Sequence, residues 1–218
     1  MTEPVRLNTP LTKEDVLKLK VGDRVLLSGR IITGRDTAHK WLLENFIQPQ
    51  IDVDADDLHI YEKLKVLLKD SCIYHCGPIV RQDDRGNYHF VAAGPTTSMR
   101  EESYQAQVIE HFGLRGVIGK GGMGADTQKA LQEKGAVYLH AIGGMGAYYA
   151  QCVERVVGVY KLSFGVPEAL WVIDVRDMPL LVSMDAHRRS LHEEVEGKTK
   201  ARLGDLMDLG NREHRQNF

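Results

Sequence analysis

Residues 94–124 read GPTTSMREESYQAQVIEHFGLRGVIGKGGMG and contain two glycine-rich loops, each placed between an apolar run and a helical pattern. The first loop follows the apolar run Tyr88–Ala93 and leads into an amphipathic segment that ends near Gly113. Ser98 and Glu101 have the spacing of a capping box, in which a hydroxyl and a carboxylate satisfy the free amides of a first helical turn. The pattern predicts a strand, a tight loop and a helix that begins at this pair.

The same pattern occurs twice more along the chain. Its second copy has Val117-Ile118 as the strand and a helix predicted over Asp126–Lys134, and its third has Val137–His140 as the strand and a helix from about Ala147. Strands that alternate with helices predict right-handed crossovers and a parallel sheet, with the three loops along its carboxyl edge. Each loop leads into a helix N-terminus, whose free amides favour negative charge, so the pattern predicts a pocket for a small anion.

The composition narrows the functional classes. The chain has 218 residues, 43% of them hydrophobic, which is enough for one sizeable core. Its formal net charge of −2 lacks the basic excess of a nucleic-acid-binding protein. No apolar run approaches the roughly 20 residues that span a bilayer, and the first residues lack the apolar centre of a signal peptide. We therefore expect a soluble, cytoplasmic protein without a nucleic-acid or membrane partner.

Outside the three loops, the sequence predicts further elements. From Arg188 onward it turns polar, so we expect a main domain over residues 1–190 and a C-terminal tail over residues 191–218 that is helical or frayed and does not act in catalysis. The remaining predictions are a helix that starts at Thr12, a strand over Arg24–Thr33, a helix N-cap at Asp36, a helix over Leu58–Lys69, a strand over Ser71–Val80, a hairpin turn at 83–86, a buried helix face at Tyr148, Tyr149, Val153, Val156 and Val157, and two late strands over Leu170–Val175 and Leu180–Met184.

The three cysteines do not form a disulfide framework, because they are few and odd in number. Cys72 and Cys76 would lie on one face of a strand, where they could act as a pair of metal ligands or as small buried hydrophobes. The second interpretation is favoured because no second cysteine pair exists and His75 would point to the other face. The acidic segment 46–57 lacks the glycine and glutamate of a calcium loop and is predicted to be solvated.

The loop at residues 119–124 was compared with nucleotide-binding motifs. A Walker loop requires Lys-Ser/Thr after its last glycine, whereas Lys120 comes early and Ala125 follows Gly124. The loop does match the dinucleotide pattern Gly-x-Gly-x-x-Gly, but no acidic residue about twenty positions further on ends a second strand. Glycine chosen only for tight turns is a further interpretation of these loops.

Three cations, Arg35, Arg100 and Lys120, lie in or beside predicted loop-to-helix corners, with Thr96 and Thr97 among them. Guanidinium pairs bidentately with carboxylate, so the set suits a ligand with two carboxylates. Five motifs, GRDTAHK (34–40), HCGP (75–78), GPTTSMR (94–100), GKGGM (119–123) and HAIGG (140–144), resemble the C-terminal part of the class I, iron–sulfur fumarases. In many microbes this part is a separate β subunit. The resemblance covers roughly residues 10–190 in matching order.

The resemblance implies a swivelling β/β/α fold, of α/β class with a mixed, largely parallel central sheet, and reversible hydration of fumarate to malate. It implies an α subunit that carries a 4Fe-4S cluster, so this chain would hold no metal and would be inactive alone, in a hetero-oligomer or as a homodimer when isolated. By matching motif, Arg35, Arg100 and Lys120 correspond to the binders of the substrate carboxylates and Thr96 to the catalytic base. Its neighbour Thr97 is a further candidate for substrate binding. Three other residues in the matching motifs are candidates for the site: Asp36, His39 and His140.

Two alternatives remain open. Tartrate dehydratase β subunits share the motifs at 94–100 and 119–124, but they typically carry Cys where this chain has Gly34, and they lack the motif at 140–144, so both differences favour fumarase. A non-catalytic anion-binding or nucleotide-binding module could use the same loops. The segment Phe46–Asp70 looks longer than is usual in the family, and we expect it at a subunit interface.

Overall fold

The computed structural model describes residues 3–49 and 53–216, and from residue 204 onward only the backbone. Within these residues the strands are β1 (Val5–Asn8), β2 (Arg24–Thr33), β3 (Cys72–Tyr74), β4 (Ile79–Gln82), β5 (Tyr88–Ala92), β6 (Gly116–Gly119), β7 (Val137–His140), β8 (Val153–Tyr160) and β9 (Leu170–Met184). The α-helices are α1 (Lys13–Lys18), α2 (Asp36–Leu42), α3 (Ala55–Leu68), α4 (Glu102–Phe112), α5 (Ala125–Lys134), α6 (Gly146–Gln151) and α7 (Leu191–Gln216). Short 3-10 turns cover Ser98–Glu101 and Leu162–Phe164, and a π-helical turn covers Leu43–Ile47.

Seven strands form one sheet in the order β1-β2-β3-β6-β7-β9-β8. The first five of that order are mutually parallel, and β9 is antiparallel to its neighbours. Because β9 pairs with β2 as well as with β7, the strands β2, β3, β6, β7 and β9 close into a small barrel. The α/β class and the mixed central sheet expected from the sequence are confirmed.

The two faces of the sheet belong to two apolar cores. In β3, Cys72 and Tyr74 point into one core while Ile73 points into the other. In β7, Leu139 and Tyr138 divide in the same way, as the two-residue period of a strand requires. The second core also contains apolar residues of α2, α3, α4 and α5, so these helices cover one face of the sheet.

The first predicted strand-loop-helix unit needs correction. The predicted strand Tyr88–Ala93 is real, but as β5 it pairs antiparallel with β4 in a separate two-stranded hairpin instead of joining the parallel sheet. The parallel strand that precedes α4 in the sheet is β3, and the hairpin is inserted between them. The turn predicted at 83–86 closes this hairpin, as expected. Local patterning could not assign β5 to one sheet or the other, because antiparallel and parallel partners are chosen by distant residues.

Three further predictions were wrong in the second half of the chain and around Cys76. The predicted helix face beyond Tyr149 is strand β8, since α6 ends at Gln151. The two late strands are one continuous strand, β9, in which Asp177 has a positive φ of 45°. The predicted strand over Ser71–Val80 is broken, so Cys76 lies beyond β3 and contacts Pro95 through an isolated bridge.

The predicted C-terminal ends of the helices agree with the structure better than the predicted N-terminal starts do. The helices α4 and α5 end at the predicted glycines, Gly113 and Gly135. Thr12 caps α1, but Asp36 is the first residue of α2 and not its N-cap, which is Arg35. The capping box at Ser98 and Glu101 was wrong, because a 3-10 turn occupies these residues and neither side chain bonds to a helical amide. The predicted helix over Leu58–Lys69 begins earlier, since Asp54 caps α3.

The polar tail forms the long helix α7 from Leu191 to Gln216. Its first turn packs against the body of the protein, where the His192 ring lies beside Gly122 and bonds to Ser183. Of the predicted solvated loop at 46–57, residues 50–52 lie outside the described residues. Among the helices that the structure describes, none is long and apolar enough to cross a membrane.

Candidate active site

The carboxyl ends of β2, β3, β6 and β7 meet at one edge of the sheet. The loop after β2 joins the end of β3 through Gly34 N–H, which donates to the Tyr74 carbonyl at 2.9 Å. His140 at the end of β7 stands opposite Gly119 at the end of β6. The motifs that were distant in sequence are therefore neighbours at this edge, as the parallel-sheet prediction requires.

The threonine loop at 95–98 is inserted between the ends of β3 and β6. Thr96 N–H donates to the His75 carbonyl at 2.7 Å, and Lys120 N–H donates to the Thr96 carbonyl at 3.2 Å. Ser98 N–H donates to the Lys120 carbonyl at 3.0 Å. These backbone hydrogen bonds form a short parallel bridge that holds Thr96 and Thr97 beside Lys120.

The side chains of the candidate site residues in these two loops differ in their exposure to solvent. Thr96 is half-buried, and its hydroxyl donates to the His75 carbonyl at 3.1 Å. Thr97 and Arg100 are exposed, and Lys120 is half-buried. In the part of the chain that the structure describes, neither Arg100 nor Lys120 forms an ion pair. Their charges are therefore available to a ligand at an open surface.

Two glycines shape the surroundings of the cations. Gly77 gives room to Arg35, because a side chain at this position would collide with the guanidinium group. Gly122 has a φ of 72° and lies against the His192 ring, so only glycine fits the loop that follows Lys120. The first turn of the predicted inert tail is thus in contact with the loop that carries a candidate site residue.

Arg35 is already paired within the chain. Its guanidinium lies 3.3 Å from Glu168, and its Nε is buried without a hydrogen-bond partner among the described residues. Asp36 follows it as the first residue of α2 and is half-buried. Sequence reasoning missed Glu168, which comes from a distant loop and whose spacing to Arg35 carries no signal.

Of the three helix N-termini predicted to favour an anion, that of α5 is already occupied by a carboxylate of the chain, and the N-terminus of α2 is occupied in the same way. At the start of α5, the Glu102 carboxylate accepts hydrogen bonds from Gly124 N–H at 2.7 Å and from Thr127 N–H at 3.2 Å. At the start of α2, Glu168 accepts from Thr37 N–H at 3.2 Å. Carboxylates of the chain itself therefore occupy the partial positive charge of both helices.

A buried polar chain lies beneath the site. Tyr138 O–H donates to Ser98 Oγ at 2.8 Å, and Ser98 Oγ lies 2.8 Å from His75 Nδ1. Gln105 Oε1 lies 2.8 Å from His75 Nε2 and 3.0 Å from His39 Nε2. Burial lowers the pKa of His75 to about 3 and also lowers the pKa of His39, so both rings are neutral at physiological pH.

His39 completes this chain, because its Nδ1 lies 2.8 Å from the carbonyl oxygen of Arg35. The ring is fully buried and its Nδ1–H donates to the Arg35 carbonyl, so His39 supports the backbone at Arg35 from within. His140 differs, since it is half-buried, its Nδ1 has no partner in the described part of the chain, and its ring lies 5.7 Å from that of His192. Burial lowers the pKa of His140, and the nearby His192 lowers it further.

Sequence reasoning missed the members of this chain as a group. One signal was present, since Glu101 and Gln105 fall on the same stripe of α4 and its preceding turn as the buried residues Val108 and Phe112. Polar residues at positions on the apolar face of an amphipathic helix indicate a buried polar contact. Ser98 and His75 were quoted within motifs, but only the fold shows that they meet.

The cysteines do not fit an iron–sulfur cluster on this chain. All three are buried free thiols, and burial raises the pKa of Cys72 and of Cys76 to about 12, whereas a cluster needs thiolates. Over residues 3–49 and 53–216, no group of three or more His, Cys, Asp or Glu side chains is placed to hold a metal ion.

Residues 1–195 match the family described as Fumarase C-terminus. The chain belongs to the Fumarase C-terminus family. It is 45% identical over 204 residues to a Geobacillus stearothermophilus protein named "Putative fumarate hydratase class I", covering 94% of this chain and 36% of that protein. The chain therefore spans about a third of this longer relative.

Two other relatives of this Fumarase C-terminus chain are nearly matched along their whole length. A Methanocaldococcus jannaschii protein named "Putative L(+)-tartrate dehydratase subunit beta" is 41% identical, with 91% of this chain and 96% of the relative covered. The L(+)-tartrate dehydratase subunit beta of Escherichia coli is 37% identical, with 85% of each chain covered. The chain is thus a β subunit or C-terminal domain of the fumarase and tartrate dehydratase hydro-lyases.

Proposed function

We propose that this chain is the β subunit of a class I fumarase, which hydrates fumarate reversibly to malate at a site shared with an α subunit. The observation that carries the proposal is the convergence of three cations and a threonine at one sheet edge. Thr96, Thr97 and Lys120 are joined by backbone hydrogen bonds, and Arg35 and Arg100 both act electrostatically on Glu101. The relative at 45% identity, which is named as a fumarate hydratase, supports the same substrate.

In this proposal Arg35, Arg100 and Lys120 bind the two carboxylates of the substrate. The N-termini of α2 and α5 already receive carboxylates of the chain itself, so charge-assisted hydrogen bonds from these three side chains are the proposed carboxylate contacts. Arg100 and Lys120 approach the ligand from the exposed face, and Arg35 approaches from the side of Glu168. Asp36 and His140 remain candidates at the border of the site.

Thr96 is the proposed base at the carbon next to the hydroxyl-bearing carbon of malate. Its hydroxyl is oriented by the hydrogen bond to the His75 carbonyl. The base in this proposal is the threonine alkoxide, which forms only when the neighbouring cations lower the pKa of the hydroxyl enough for it to lose its own proton. His75 is in turn fixed by Ser98 and Gln105, which makes the buried polar chain the support of the base.

The α subunit is part of the proposal, because the relatives of matching length are named as beta subunits. Departure of hydroxide from malate calls for a Lewis acid at that oxygen, and the resemblance to class I fumarases assigns it to the 4Fe-4S cluster of the α subunit. The described residues of this chain offer no thiolate set for such a cluster, so no ligand is assigned to it here.

Dehydration of L(+)-tartrate is the second candidate, and the two relatives named as tartrate dehydratase subunits favour it. Gly34, where the resemblance to tartrate dehydratases would have cysteine, and the motif at residues 140–144 support fumarate instead. Malate and tartrate differ by one hydroxyl group, so we expect contacts beside these residues to set the preference between them.

The test is to co-purify the chain with its proposed iron–sulfur α subunit and to compare kcat/KM for malate and L(+)-tartrate. We expect activity only in the complex, with malate preferred. Lys120→Ala should reduce kcat/KM by about 10- to 100-fold, from the loss of about 1.5–3 kcal/mol for a charge-assisted hydrogen bond. Lys129→Ala, at an exposed site on α5, is the matched control and should behave as wild type.

Three results would contradict the proposal. Robust turnover by the iron-free chain alone would remove the need for the α subunit. Equal kinetics for Lys120→Ala and Lys129→Ala would remove Lys120 from the site. Calorimetric titration of the chain that shows tight ATP binding and no dicarboxylate binding would favour a nucleotide-binding module.

A further inference from the structure

Glu101 is a buried carboxyl group for which the proposed reaction has no role. Its side chain lies in the 3-10 turn that connects the threonine loop to α4 and has no exposed surface. Neither carboxyl oxygen has a hydrogen-bond partner among the residues that the structure describes. A carboxylate in this position would be desolvated without compensating donors, which is strongly unfavourable.

The charges around Glu101 belong to the proposed dianion site. Arg35 and Asp36 at the start of α2, Arg100 of its own turn, and Tyr138 of β7 all interact electrostatically with it. Arg35 forms its ion pair with Glu168, so neither arginine is neutralised by Glu101. The carboxyl group is therefore close enough to sense both guanidinium groups without being bonded to either.

Burial is the largest influence on Glu101 and raises its pKa to about 7. The positive charges of Arg100 and Arg35 and its own amide oppose this increase, while the negative charge of Asp36 adds to it. A group with this pKa is divided between its two protonation states in the physiological range. When a dianion neutralises the arginines, their attraction for the carboxylate form is lost and the pKa must rise further.

We propose that Glu101 couples dianion binding to proton uptake, because its carboxylate form competes with the dianion for the positive charge of Arg35 and Arg100. The inference rests on the proposed function, since it assumes that these two arginines bind the ligand. Binding and protonation then strengthen each other by the same factor. Affinity for a dianion should fall about tenfold between pH 6 and pH 8, as one proton must be taken up on binding above the pKa.

The test measures malate and sulfate binding to the full chain by calorimetry from pH 6 to pH 8.5, in two buffers of different ionisation enthalpy. Wild type should show the tenfold loss of affinity and the uptake of close to one proton at pH 8. Glu101→Gln, which imitates the protonated form, should bind with an affinity nearly independent of pH. Glu110→Gln, at an exposed site on the adjoining helix α4, is the matched control and should keep the wild-type profile.

If Glu101 is only structural, Glu101→Gln will change the stability of the protein but not the pH dependence of dianion binding. That outcome overturns the inference. If malate binds without proton uptake, the role of Glu101 is wrong while the proposed function stands. If sulfate binds with proton uptake and malate does not bind, the dicarboxylate assignment is wrong while the role of Glu101 stands.

A second measurement does not depend on the variant folding. In the wild-type chain labelled with 13C at glutamate carboxyl groups, the midpoint of the Glu101 titration should lie near neutral pH and shift upward by about two units or more with saturating sulfate. A midpoint in the ordinary range of an exposed glutamate, or one that sulfate does not move, would refute the coupling.

Discussion

Ser98 should be far more important for stability than its small side chain suggests. Its hydroxyl contacts both Tyr138 O–H and His75 Nδ1 at 2.8 Å inside the protein. Ser98→Ala leaves both groups buried without this partner, and each buried unsatisfied group costs about 1–3 kcal/mol. The expected loss in the free energy of unfolding is therefore about 2–6 kcal/mol, while Ser103→Ala, at an exposed site of α4, should change it by less than about 0.5 kcal/mol.

A double-mutant cycle separates this explanation from a general packing defect. Tyr138→Phe removes the phenol hydroxyl but leaves Ser98 bonded to His75, so it should cost only about 1 kcal/mol. Adding Tyr138→Phe to Ser98→Ala removes the orphaned donor, and the double variant should be about 1–3 kcal/mol more stable than the sum of the single effects predicts. Chemical unfolding followed by circular dichroism measures all four proteins. Additive effects, or a near-neutral Ser98→Ala, would refute the assignment of this network.

Three further predictions follow from the site and its surroundings. Arg100→Ala in the assembled enzyme should lower kcat/KM about 10- to 100-fold with little change in melting temperature, and Arg85→Ala in the exposed hairpin should change neither; a parallel loss of melting temperature would argue for a structural role. Relative to wild type, Glu101→Gln should become progressively more stable as pH rises from about 4 to 7. Wild type is most stable below the unfolded-state pKa of this carboxyl group and loses that stability as pH rises toward the higher folded-state pKa, whereas glutamine does not titrate. A constant difference in unfolding free energy across this range would contradict the prediction. Cys72 and Cys76 should react with a thiol reagent at pH 8 only after unfolding, because burial keeps both thiols protonated; fast labelling of the native chain would disprove this.

Local sequence was sufficient where one segment determines its own structure. The helix ends at Gly113 and Gly135 and the ten-residue strand Arg24–Thr33 were predicted within one residue, because periodicity and glycine caps act over short distances. The parallel pairing of β6 and β7 also followed from local order, since strands alternating with helices have few alternatives.

Predictions that depended on a distant partner were wrong or incomplete. The run Tyr88–Ala93 has the same alternation in a hairpin as in a parallel sheet, and Val153–Tyr160 was mistaken for the continuation of a helix. Ser98 and Glu101 had the spacing of a capping box, but Ser98 instead faces His75 and Tyr138. A hydroxyl can satisfy a local amide or a distant ring nitrogen, and only packing decides between them.

The sequence by itself determined which residues carry charge and that they follow strands, which was enough to predict one shared edge for Thr96, Arg100 and Lys120. Only the tertiary structure decided which side chains surround these residues at that edge. It fills two helix N-termini with Glu102 and Glu168, and it buries an unpaired Glu101 below the arginines. The reason is physical: the chemistry of a side chain is encoded locally, whereas its hydration and its partners depend on segments that meet only after the barrel closes.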